Sequence, residues 1–132
     1  MAGAAQAAGG GSVMSLCILG LGETLVLAAE LFSLSWTHSV EGTRWEESWR
    51  ASEAGLQILE ARVRGSGAGM EPPDGAILRN GWWIYRPAAA VQEKLVLAAS
   101  GATQGGWTLC AAGACRTLGA RPGEPITLSA CD

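Results

Sequence analysis

The one histidine of this chain, His38, precedes Glu47 by nine residues, and each falls in a segment whose alternate residues are apolar. A histidine beside a carboxylate is a small unit of acid–base chemistry. The imidazole titrates near neutrality, and the carboxylate steadies its charge and tautomer. Glu60, on the segment that follows, is the third member of the set. Together they read as a ligand, metal or acid–base site. A structural reading stands against this one. A carboxylate on an apolar face costs stability unless it is paired, so His38 and Glu47 can also satisfy each other and do nothing further.

Other reactive constellations are weaker. His38 and Ser39 are strand neighbours and point to opposite faces, and the chain has neither a Gly-x-Ser-x-Gly segment nor a second histidine to serve as a base. A zinc site would need Cys110 and Cys115 beside His38, and spacing gives that no support. Gly65–Gly69 lacks the Lys-Ser/Thr of a phosphate-binding loop, and Pro72-Pro73 follows where a helix should begin. No catalytic residue, metal or cofactor is assigned.

The four cysteines and six tryptophans are more informative. If Ala112-Gly113 is a tight turn, Cys110 and Cys115 face each other across two strands with Cα atoms about 4.5 Å apart, close enough for a disulfide. Such a bond requires an oxidising compartment. Cys17 and Cys131 meet only if the first and last strands pair. Trp36, Trp45, Trp49, Trp82, Trp83 and Trp107 suit core packing, or an aromatic groove for an apolar or sugar-like ligand. Trp82 and Trp83 are adjacent and cannot both face one core. The ligand-binding candidates are therefore His38, Glu47, Glu60, Trp36, Trp45 and Trp82.

These residues have to be placed by strands. Leu31–Val40 alternates, with Phe32, Leu34, Trp36, His38 and Val40 on one face. Arg44–Ala51 does the same with Trp45, Glu47 and Trp49. With Glu41-Gly42 as a two-residue loop, Val40 faces Thr43, His38 faces Trp45, Trp36 faces Glu47 and Leu34 faces Trp49. His38 then lies diagonally beside Glu47, within side-chain reach. The third segment, Leu56–Arg64, has two solutions. A two-residue turn through Glu53-Ala54 sets Glu60 opposite Glu47 and Arg62 opposite Trp45. One more residue turns Leu59, Ala61 and Val63 inward instead.

The remaining segments are Val13–Leu19, Glu23–Ala29, a pair flanking Asn80-Gly81, Glu93–Ala99, Trp107–Ala111, Ala114–Leu118 and Ile126–Cys131. No amphipathic helix appears. Asn-Gly between apolar runs is a strong hairpin signal. About nine short strands with frequent turns predict an all-β chain, a small single-domain antiparallel β-barrel or sandwich over 13–132, behind a flexible Ala/Gly-rich leader over 1–12.

At 132 residues and 48% hydrophobic content the chain can build one core. Charged residues are only 16%, and the net charge of −3 with scattered Lys and Arg argues against nucleic acid as a partner. The first 22 residues carry no charged side chain, and their short apolar run makes no clear export signal.

The blocks Trp36-Thr37-His38-Ser39-Val40-Glu41, Trp45-Glu46-Glu47-Ser48-Trp49, Gly67-Ala68-Gly69-Met70, Gly81-Trp82-Trp83, and Leu109-Cys110 with Cys115-Arg116 resemble an uncharacterised bacterial family known as domain of unknown function 1850. The resemblance runs from about Leu16 to Cys131. It implies small proteins often encoded beside fused membrane subunits of TRAP transporters of the TAXI type, hence a periplasmic or membrane-associated accessory role in solute uptake. It supplies no activity and no catalytic residue. The missing export signal leaves the cytoplasm as the alternative compartment.

The expected function is a non-enzymatic accessory or ligand-binding protein of a TRAP-type system. Its partners would be a transporter membrane subunit and a small molecule. The rivals are a metal- or acid/base-dependent enzyme using His38 with Glu47 and Glu60, and a structural partner of a membrane protein that presents Trp82 or Trp83.

Overall fold

The computed structural model describes residues 14–20, 22, 24–38, 42–64, 74–88, 91–99 and 103–132. The leader expected over 1–12, the loop residue Glu41, Gly65–Gly69 and Pro72-Pro73 lie outside the described residues. No helix occurs among the described residues, and eleven strands do. They are β1 (Ser15–Leu19), β2 (Leu25–Leu27), β3 (Leu31–His38), β4 (Thr43–Ser52), β5 (Gly55–Arg64), β6 (Ile77–Arg79), β7 (Trp82–Tyr85), β8 (Lys94–Leu97), β9 (Thr103–Ala111), β10 (Ala114–Leu118) and β11 (Ile126–Cys131).

The strands form two antiparallel sheets, in the orders β2-β1-β11-β8 and β10-β9-β3-β4-β5-β7-β6. The fold is a sandwich, and the barrel alternative falls because both sheets have open edges. Period-two alternation explains the layering. Leu16, Ile18, Leu97, Ile126 and Leu128 face inward from the smaller sheet. Phe32, Leu34, Trp49, Ala51, Leu56, Ile58, Leu109 and Ala111 meet them from the larger one.

Local chemistry fixes the turns. Asn80 and Gly81 have φ of 53° and 84°, and Ala112 and Gly113 have φ of 54° and 80°. Both pairs adopt the left-handed geometry that matches strand twist. The second turn sets Cys110 against Cys115, which are bonded with Cα atoms 4.0 Å apart. The first and last strands do pair, and Cys17 bonds to Cys131 one step off register. Both disulfides lie on outward faces. The second closes a sequence separation of 114 residues.

Candidate functional site

The register of β3 on β4 differs from the expected one by two residues. His38 pairs with Thr43, Trp36 with Trp45, Leu34 with Glu47 and Phe32 with Trp49. A shift of two keeps every side chain on its expected face. It also matches ring to ring: Trp36 stacks on Trp45 with centroids 6.1 Å apart, and Phe32 on Trp49 at 6.3 Å. The expected register set Trp36 against a carboxylate and forfeited both contacts. One consequence falls on the expected His38–Glu47 pair. Four strand residues separate Thr43, the partner of His38, from Glu47, about 13 Å of backbone. The two residues are not diagonal neighbours.

The pairing of β4 with β5 combines both expected solutions. Near the Glu53-Ala54 turn the two-residue register holds, with Ser52 opposite Gly55, Ala51 opposite Leu56 and Trp49 opposite Ile58. A bulge at Leu59 then shifts the pairing, so that Ser48 faces Glu60, Glu47 faces Ala61 and Trp45 faces Val63. The extra residue turns Ala61 and Val63 inward, at 2% and 1% exposure, and turns Glu60, Arg62 and Arg64 outward. Without it Glu60 would face Glu47 across an apolar surface, where neither charge has a partner.

Glu47 sits in a transverse row on the inner face: Leu109, Leu34, Glu47, Ala61 and Tyr85 on successive strands. Its carboxylate accepts a hydrogen bond from Trp49 Nε1 at 3.0 Å. Burial pushes the Glu47 carboxyl above its ordinary value, and the Trp49 donor only partly offsets this. Burial also raises the Tyr85 phenol, and the negative charge of Glu47 raises it further. Ala61 separates the two groups in the row and, being small, lets them sense each other.

A hollow of about 310 Å³ opens at the bulge. It is lined by Ser33, Glu46, Glu47, Ser48, Glu60 and Arg62. The hollow opens on the outward face with Ser33, Ser48, Glu60 and Arg62, whereas the Glu47 side chain points to the inner face, so Glu47 and Glu60 flank the bulge from opposite faces. Glu46 joins them, a residue the sequence reading passed over because it lies on the polar face. The arginine in the hollow is already engaged: Arg62 Nε donates to Glu46 Oε1 at 2.7 Å, and its Nη2 donates to the same oxygen. Two carboxylates, Glu46 and Glu60, therefore share the outward face with one guanidinium that Glu46 already engages. Among the described residues no group of three His, Cys, Asp or Glu side chains is placed to hold a metal ion.

The remaining candidates lie apart from the hollow. Trp36 and Trp45 stack on the inner face, where Trp36 also packs against Trp107 with centroids 4.8 Å apart. The Trp107 indole in turn donates to Ala98 O at 3.0 Å. Trp82 and Trp83 divide as expected for strand neighbours. Trp83 faces inward beside Val63, and Trp82 faces outward under Arg62 and Arg64.

The family described as domain of unknown function (DUF1850) matches residues 32–118. The chain belongs to this family. The matched stretch contains all of the larger sheet except the first residue of β3, and so holds the bulge, the hollow and the aromatic row. No curated protein and no solved structure matches the chain.

Proposed function

We propose that this DUF1850 chain is a non-enzymatic, ligand-binding accessory of a TRAP-type solute transport system, working outside the cytoplasm and holding a small organic cation at the β4–β5 bulge. The observation that carries the reading is the hollow itself, in which Glu46 and Glu60 outnumber the one arginine. Bulges recur beside functional sites because they open a regular sheet and re-aim side chains. A protonated amine suits the surplus carboxylate, Glu60, and the Ser33 and Ser48 hydroxyls are available to orient it. Two features support a compartment outside the cytoplasm: both cysteine pairs are oxidised, and the family resemblance implies a transport context. The separation of His38 from Glu47 along the sheet removes the acid–base pair on which the enzyme reading depended.

The test is a thermal-shift survey of small molecules matched in size but differing in charge. Ligands that bind the folded state raise Tm. Amines should raise it, and matched alcohols and carboxylates should not. A response to carboxylates alone would overturn the assignment.

A further inference from the structure

The outward face of the larger sheet carries a second feature, adjoining the hollow along β4 and β5. Arg44 and Arg64 are direct cross-strand partners. Like charges in that relation are destabilising, so the pairing is not explained by stability. Arg44 turns toward β3, donating to Ser35 Oγ at 3.0 Å and to Thr37 Oγ1 at 3.4 Å. Arg64 turns the other way, its guanidinium carbon 5.8 Å from the Trp82 ring centre, while that of Arg62 lies at 4.6 Å. Arg79 pairs with Trp82 from the edge strand β6. Arg62 and Arg64 thus lie over one indole and Arg79 stands opposite it, in a chain whose net charge is −3. The acidic groups on this side are Glu46, engaged with Arg62, and Glu60 and Asp74, which line one depression with Ile77, Arg79, Ile84 and Arg86.

The same corner exposes apolar side chains. Every residue of β6 is exposed: Ile77 is 58% and Leu78 is 57% accessible, one on each face of the edge strand. Ile77 shares the outward face with Ile84, Trp82 and the arginines. Guanidinium groups, an interfacial indole and exposed aliphatic side chains together match a phospholipid surface. The arginines meet phosphate oxygens, the indole sits at headgroup depth, and the aliphatic groups reach the acyl boundary.

We infer that the β6–β7 corner, with Arg62, Arg64, Arg79, Trp82 and Ile77, docks this chain onto an anionic phospholipid bilayer. The surface adjoins the acidic hollow, with which it shares Arg62, and the inference does not rest on the ligand reading.

The test is sedimentation of the full chain with vesicles of phosphatidylglycerol and phosphatidylcholine, beside vesicles of phosphatidylcholine alone. The protein should bind the anionic vesicles, and about 0.5 M salt should release it by screening. Replacing two exposed charges, Arg64→Gln with Arg79→Gln, should weaken partitioning about tenfold or more. Arg64→Lys with Arg79→Lys should keep most of the binding, which separates lost charge from lost folding. Glu60→Gln should bind vesicles as well as the parent. Three results would each overturn the inference: equal binding to neutral vesicles, no binding to either, or full binding by the glutamine pair. Release by millimolar inorganic phosphate at constant ionic strength would also do so, assigning the patch to a soluble oxyanion.

Discussion

Trp49 donates its indole hydrogen to Glu47 at 3.0 Å, from two residues farther along the same strand and the same face. The contact gives the half-buried carboxylate its one side-chain donor among the described residues. It also ties the carboxylate to an indole that is only 6% exposed and packed on Phe32.

Because burial raises the Glu47 carboxyl above the ordinary value of 4.5, the folded chain binds this proton more tightly than the unfolded chain does. The stabilisation from the protonated form is complete below 4.5 and is lost as pH rises through the folded value. Glu47→Gln keeps an acceptor for Trp49 and carries no titrating proton. Its Tm should exceed that of the parent at pH 7, with the gap closing as pH falls through the raised folded value toward 4.5. A gap that widens on acidification would contradict the assignment.

Glu47→Leu separates the hydrogen bond from the charge. It removes the acceptor and strands the Trp49 N–H, a loss of about 1–3 kcal/mol for a buried donor, partly offset by added apolar burial. Chemical denaturation should therefore find the leucine variant less stable than the glutamine variant at the same pH. Equal stability would mean that the indole bond contributes nothing.

The bulge at Leu59 makes opposite predictions for neighbouring residues. Val63 is 1% exposed, so Val63→Ser should cost about 2–3 kcal/mol in lost burial and cavity formation. Arg62→Ser removes a solvent-accessible ion pair with Glu46 and should cost about 1 kcal/mol or less. Urea unfolding of the two variants reads the register directly. The reverse order would place β5 in the unbulged register.

Much of the architecture is legible in period-two alternation and turn chemistry. Asn80-Gly81 marks its turn because Asn and Gly tolerate positive φ, and Gly113 marks the second turn, where Ala112 also takes positive φ; that turn carries the Cys110–Cys115 bond with it. The face assignments of β3 and β4 are legible for the same reason. What the pattern does not resolve is register. A shift of two leaves every face unchanged, so alternation is silent on whether His38 or Trp36 meets Trp45, and ring stacking decides. The bulge at Leu59 hides for a related reason: one extra residue is a local event, and each half of β5 alone fits a regular strand. Glu46 entered the site through that bulge, and the nearest sequence signal was its place beside Glu47.

The two disulfides should differ in weight. In the loop-entropy account, a bond spanning about 100 residues contributes about 4–5 kcal/mol, and one spanning a few residues about 2 kcal/mol. Cys17→Ser with Cys131→Ser should therefore lower the unfolding free energy by clearly more than Cys110→Ser with Cys115→Ser. Thiol titration of the native parent should find no free cysteine. Similar losses for both pairs would count against closure of the chain ends as the larger effect.

The most direct test of the acidic hollow is calorimetric titration of the full chain with 1,4-diaminobutane and, separately, with 1,4-butanediol. The diamine should bind saturably and the diol should not. Glu60→Gln, which neutralises a carboxylate on the outward face without touching the core, should weaken the diamine about tenfold while leaving Tm nearly unchanged. Equal affinity of parent and Glu60→Gln, or no saturable heat with the diamine, would contradict a cation site at the β4–β5 bulge.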